Sequence, residues 1–478
     1  MIALYILLAA LALLFATLVL RALAFKPPKA APRVPHPVDF DRQKAVDDLA
    51  AMIRCKTVSD VAPEKEDAAE FEKFHALLPT LFPATFAACE KIDTGARSIL
   101  WRLRGKSPRS PLVLMSHYDV VSINEEGWSR PAFEGCIEEG HLWGRGTLDT
   151  KGTLNGILQA AEAMLKNGFT PERDVFFAFS GNEEIGGDGA PAIVDWLEKN
   201  GIEPGLVIDE GGAVVENVFP GVKLPCALIG IAEKGMIDLE YRVKSPGGHS
   251  SAPKPNSPLV QLSRACLDIE KKPFKRHLTK PVAGMFDTLG RHSSFLYRMI
   301  FANLWAFGGL LDMICKSGGG ELNAMMRTTV AFTQAKGSST PNVIPPEASM
   351  VSNMRLNPMD TVDSAVEYLK GVIDNENVVL NKLRGMNPSR ISDTEADGYK
   401  RVEKAILGTW KNSIVSPYLM VQCSDSRHWG RISDKVYRFS AMDLTSEERA
   451  TIHGNNERIR IDCAKRAAEF YIRLIKQC

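Results

Sequence analysis

The chain has 478 residues, 45% of them hydrophobic and 24% charged, which at ~100–200 residues per domain gives room for two or three globular domains. That mix excludes disordered, collagen-like and coiled-coil chains. Lys and Arg total 58 against 57 Asp and Glu, a net charge of +1, so no global basic field serves nucleic acid, and no long basic run supplies a local one.

Residues 2–20 carry no charge and one polar side chain, Thr17. At ~1.5 Å per residue they reach ~28 Å, the thickness of a bilayer core, so a membrane-inserted helix is predicted. Ala22-Leu23-Ala24 has the small-x-small form of a cleavage site. A basic n-region is missing and Arg21 adjoins the site, which favours a retained single-pass anchor over a cleaved signal that would leave the protein secreted. Arg21, Lys26, Lys29 and Arg33 follow the helix, a bias toward a cytoplasmic body too short to decide the side of the membrane. Residues 1–26 are therefore anchor or signal segment, and the Pro-rich stretch 27–37 an extended spacer.

From 38 onward short apolar runs alternate with helical periodicity, as in α/β folds. Residues 111–121, 174–180 and 204–209 are predicted as buried strands, with a helix over 153–168 between the first two; such units imply a mostly parallel sheet with ligands at the strands' carboxyl ends. A second pattern follows: strand 235–245, helix 257–272, strands 321–335 and 348–357, helix 361–373 and strand 376–385. That βαββαβ order forms an antiparallel sheet with two helices on one face. The predicted organisation is a catalytic domain in two parts, 38–230 and 386–478, with an inserted α+β domain at 231–385. Residues 273–320 exceed the usual ~4–6-residue connection, and 295–314 is strongly apolar. That stretch is read as core or dimer packing, or as a wall for a long acyl chain or a surface resting on the bilayer. Nine cysteines are scattered with no C-x-x-C pair, as buried free thiols are.

Polar residues that carry chemistry concentrate at strand ends. His117 and Asp119 in SHYDVV lie two apart and face one side of a strand. Asp149 follows in GRGTLDTKG, Glu183 and Glu184 in GNEEIGG, Asp209 in VIDEGG and His453 in IHGNNERI. Imidazoles and carboxylates converging on one sheet edge suit zinc, and two imidazoles with three carboxylates suffice for two ions sharing a bridge. The glycine clusters lack both phosphate-cradling spacings, so a nucleotide-dependent enzyme is not supported.

In that order, and with GGHSS added, these motifs resemble the aminoacylase/carboxypeptidase S family of dinuclear zinc metallopeptidases, above all its carboxypeptidase S and N-fatty-acyl-amino-acid hydrolase branch. The resemblance implies a zinc-peptidase catalytic domain with an inserted dimerisation and lid domain. It implies His117, Glu184, Asp209 and His453 as terminal ligands of two zinc ions per subunit (Co2+ or Mn2+ as substitutes), with Asp149 bridging, Asp119 orienting His117, and Glu183 as general base. By the same resemblance His249, in SPGGHSS, reaches the partner subunit's active site of a homodimer, and Arg427, Asn342 and Arg355 bind the substrate carboxylate. Cys423 departs from the family pattern, which has a small or polar residue there. The implied activity is hydrolysis of peptides or N-acyl amino acids. The alternatives are a non-catalytic metal-binding scaffold, and within the same class a dipeptidase or deacetylase of short acyl groups.

Overall fold

A computed structural model describes residues 1–28 and 37–478; most of the predicted spacer lies outside them. Twelve strands organise the body. In chain order they are β1 (Glu90–Ile92), β2 (Ser98–Leu103), β3 (Ser107–His117), β4 (Arg173–Ser180), β5 (Leu206–Val215), β6 (Cys226–Glu233), β7 (Gly235–Lys244), β8 (Thr329–Lys336), β9 (Glu347–Leu356), β10 (Val379–Met386), β11 (Ile414–Met420) and β12 (Val436–Leu444).

Eight of them form one sheet, in the order β1-β2-β4-β3-β5-β12-β6-β11. The centre is parallel: β3 pairs in that sense with β4 and β5, and β5 with β12. Strands of this kind are buried on both faces and read as unbroken apolar runs; Val175 to Phe179 of β4 are all buried. One face carries the helices Arg42–Ile53, Lys151–Lys166 and Ile461–Ile475, and the other carries Gly189–Lys199. Gly156 lets two of these helices close up, because a Cβ there would sit 2.9 Å from that of Ala467. Mixed α/β architecture around a mostly parallel sheet is thus what the strand and helix patterning predicted.

After β6 the chain crosses into a second, antiparallel sheet of order β8-β9-β7-β10. The helices Pro258–Lys271 and Val362–Ile373 pack on it around Leu239, Tyr241, Leu262 and Leu369. One prediction fails in detail. The strand expected over 321–335 begins only at Thr329, and Gly320–Met326 is a helix. ELNAMM contains good helix formers and no β-branched residue, whereas the β-branched run starts at Thr328.

The connection 273–320 is helical. After Lys280–His292 come α5 (Phe295–Phe301), α6 (Leu304–Gly318) and α7 (Gly320–Met326), with α5 and α6 bent by 103°. Earlier in the chain, α1 is Ile2–Ala24, α2 Arg42–Ile53, α3 Lys151–Lys166 and α4 Pro258–Lys271. Among the described residues α1 is the one single helix long and apolar enough to cross a membrane.

Candidate metal centre and its cavity

His117 ends β3, and Glu183 and Glu184 follow β4 directly. Asp149 precedes α3, and His453 comes from the loop before the last helix. The parallel sheet therefore delivers side chains from distant parts of the chain to the carboxyl ends of its central strands.

Asp149 stands between the two imidazoles. Its Oδ1 lies 3.0 Å from His117 Nε2 and its Oδ2 2.9 Å from His453 Nε2. His453 Nε2 is also 3.1 Å from Glu184 Oε2. Donor atoms of His117, Asp149 and Glu184 lie within 4.8 Å of one another, as do those of His117, Glu183 and Glu210. Asp119, fully buried, backs this group, its Oδ1 3.4 Å from His117 Nδ1. Its carbonyl oxygen lies 3.0 Å from His117 Nδ1, while its carboxylate accepts the Glu183 and Glu184 N–H groups at 3.1 Å each and the Ser59 hydroxyl at 2.6 Å. Such contacts set the tautomer and aim of a ligating imidazole.

The charges are badly balanced. Burial, aided by Asp425, Glu210 and Glu184, pushes the Glu183 carboxyl well above its ordinary value against the pull of His117. Burial first, and then Asp149 and Asp209, push Glu210 up to about 8. Burial opposes ionisation of Asp149 too, yet His117 and His453 hold its carboxyl well below the usual range. Hydrogen bonds to Asp149 and Glu184 raise His453 to about 10. Glu184 Oε1 is buried with no hydrogen-bond partner among the described residues. Crowded carboxylates, two imidazoles and an orphaned carboxylate oxygen are the donor set of divalent cations.

Two residues differ from expectation. Asp209 is buried but turned away, its Oδ2 accepting the Ser426 N–H at 2.9 Å. Its neighbour Glu210 faces His117 instead, at 3.5 Å. Adjacent strand residues point to opposite faces, so only one of this pair joins the cluster, and in this structure it is Glu210. A buried ion pair was also missed: Glu457 accepts from Arg145 at 2.6 Å and from the N–H groups of Gly146, Leu148 and Asp149. Arg145 in turn donates to the carbonyls of His453 and Gly454. His453 itself has φ 60°, an uncommon conformation for a residue with a Cβ, and the pair ties its loop to the Asp149 loop.

A cavity of about 770 Å3 opens from Asp149, Glu183, Glu184, Glu210 and His453. Its apolar side is built by Leu148, Val215, Leu228, Met420, Met442 and Leu444. Gly320, Glu321 and Ala324 of α7 also line it, but no residue of 295–314 does, so that stretch is not the wall of this cavity. Cys423 does line it, and Arg355 Nη1 lies 3.2 Å from the Cys423 sulfur. Arg427 has Asp425, Glu233 and Glu183 as its electrostatic neighbours. His249 and Asn342 are exposed and away from the cavity lining. The Asn342 carbonyl accepts the Ser250 N–H, next to the short pairing of Gly248–His249 with Val343–Ile344.

Comparison with known proteins agrees with this geometry. Residues 113–477 match the peptidase family M20/M25/M40. The chain is 34% identical over 442 residues to an N-fatty-acyl-amino acid synthase/hydrolase of Xenopus tropicalis, covering 91% of this chain and 86% of the relative. It is 33% identical over 436 residues to a carboxypeptidase S-like protein of Dictyostelium discoideum, covering 90% and 84%. Among solved structures, an M20 family metallo-carboxypeptidase from Sulfolobus solfataricus superposes with a TM-score of 0.68 at 17% identity, over 90% of this chain and 98% of the other. A dinuclear metal-binding peptidase of Bacillus subtilis superposes with a TM-score of 0.54 at 12% identity, over 91% and 99%.

Proposed function

The chain belongs to the peptidase family M20/M25/M40, and from that premise we propose that it is a two-zinc hydrolase of N-acyl amino acids with a free carboxylate. The observation that carries this reading is the joining of the donor cluster to a largely apolar cavity, of a size (~300–1,000 Å3) usual for small-molecule sites. Asp149 would bridge the ions, with His117 at one and His453 and Glu184 at the other. The remaining carboxylate is Asp209 by family resemblance and Glu210 by side-chain placement. When bound, the ions supply Lewis acidity and lower the pKa of water toward ~7. Glu183 takes the proton from the attacking water and returns it to the departing amine. Arg427 and Arg355, which adjoins the cavity-lining Cys423, suit a substrate carboxylate, since a guanidinium offers a planar pair of donors.

The apolar side of the cavity favours an acyl group over a peptide there. Burying a CH2 contributes ~0.8 kcal/mol, so kcat/KM is expected to rise several-fold per methylene pair until the cavity is full. A hydrolysis screen crossing short dipeptides with N-acyl amino acids of increasing chain length checks it. A flat or falling series would favour a dipeptidase or short-chain deacetylase.

The antiparallel β7–β10 unit would serve as dimerisation and lid domain, with His249 completing the partner's site. Mixing inactive Glu183→Gln and His249→Ala proteins should then restore partial turnover, because one site of the mixed dimer is whole. No recovery despite proven subunit exchange rejects the role in trans. α1 would anchor the enzyme in a membrane, with the N-terminal segment retained.

A further inference from the structure

The N-terminal helix does not leave the body freely. Ala22 is fully buried, and the last turns of α1 pack on α5. The Arg21 guanidinium donates to the carbonyl of Ala302 at 3.0 Å and to Asn303 Oδ1 at 3.0 Å, while the Asn303 amide donates back to the Leu18 carbonyl at 3.0 Å. Arg291 lies over the Phe25 ring and donates to the Lys26 carbonyl. The point where α1 would emerge from lipid is therefore fixed beside the bend between α5 and α6.

Those two helices have one packed face and one bare face. Phe301 is buried against Phe219 and Phe286. Cys315 is the one buried residue of α6. On the other side Trp305, Leu310, Met313 and Ile314 are 62, 47, 60 and 56% exposed, and Leu296 of α5 is 63% exposed. Positions 305, 306, 309, 310, 313 and 314 form one stripe at helical spacing, filled by Trp, Ala, Gly, Leu, Met and Ile. Large contiguous apolar surfaces of this kind mark an interaction face.

Resting on the reading of α1 as an anchor, we propose that α5 and α6 form an interfacial element that lies in the same bilayer, beside the anchor. Continuity selects lipid as the occupant. A bilayer that covers the bare length of α1 down to Arg21 must reach the bend at Ala302 and Asn303, to which Arg21 is bonded. The pair does not cross. α6 is 15 residues long, ~22 Å against a core of ~30 Å. Asp312 within it is paired with Arg327 and Lys316. A tryptophan on the apolar stripe, with Arg276 donating to the Gly308 carbonyl of α6 and Arg291 at the end of α1, suits the headgroup boundary. α7 continues from α6 and lines the cavity, so the interfacial element is joined in sequence to the cavity wall.

The test uses the full chain in phosphatidylcholine/phosphatidylserine vesicles with brominated acyl chains, which quench tryptophan in contact with lipid tails. The other tryptophans (Trp101, Trp128, Trp143, Trp196, Trp410 and Trp429) belong to the body and are buried or half-buried. The expected result is bromine-dependent quenching in the wild type that disappears in Trp305→Phe and returns in Trp305→Phe/Met313→Trp. Vesicle flotation with no difference between wild type and Trp305→Phe overturns this proposal while leaving the anchor intact. Failure to float overturns both. Disulfide trapping of a homodimer through Met313→Cys, with no quenching, would assign the face to a second copy instead.

Discussion

Glu183→Gln is expected to keep its metal and lose ~10²–10⁴-fold in kcat, the range spanned by a positioned general base. The change is isosteric, and His117, Asp149 and Glu184 retain their donor atoms within 4.8 Å of one another. The Glu183 N–H still reaches Asp119, so the loop keeps its shape. What is lost is the ability to accept a proton from water and return it. Asp149→Ala is the contrasting variant. It removes the carboxylate that lies within 3.0 Å of both imidazoles, so bound metal measured by elemental analysis should fall together with activity. Near-normal turnover in Glu183→Gln would reject Glu183 as the base.

The second large effect lies away from the reacting atoms. Arg145→Met leaves the Glu457 carboxylate fully buried without its cation, a situation that costs ~3–5 kcal/mol. A clear drop in the urea midpoint is expected, with loss of metal because the His453 and Gly454 carbonyls lose their donor. The double variant Arg145→Met/Glu457→Gln should regain much of the stability. Its amide carbonyl still accepts the N–H groups of Gly146, Leu148 and Asp149, and no charge remains buried. Metal affinity should recover less, since nothing replaces the guanidinium on the His453 loop. An unchanged urea midpoint in the single variant would show that this pair does not hold the two loops together.

The parts legible in the sequence were those with a local signature. Unbroken apolar runs such as DVFFAFS announced central strands, and strand-end motifs placed His117, Asp149, Glu184 and His453 together. The role of Asp119 was implied by the family resemblance rather than by its spacing from His117, since the strand ends at His117 and Asp119 lies beyond it. Orientation was harder to read. In VIDEGG either acidic residue can face the cluster, and β5 pairs irregularly with β12 just there, the register shifting between Arg438 and Phe439. Arg145 and Glu457 looked like ordinary loop charges because their pairing spans most of the chain. The α7 helix was hidden by its length, since seven residues do not show a period.

The main sheet is forked. β5 and β6 pair directly at Val214–Ala227 and Val215–Cys226, then part to admit β12 between them. On the order of 200 residues separate β6 from β12, so at ~5–20 residues per second a ribosome takes ~10–40 s to supply the missing strand. Throughout that interval the nascent chain carries an open slot with unpaired backbone edges, an aggregation hazard that calls for chaperone cover. His453 emerges only after β12, so the imidazole on the far side of Asp149 is among the last parts of the site to be made. Metal loading should therefore follow release of the chain rather than guide its folding.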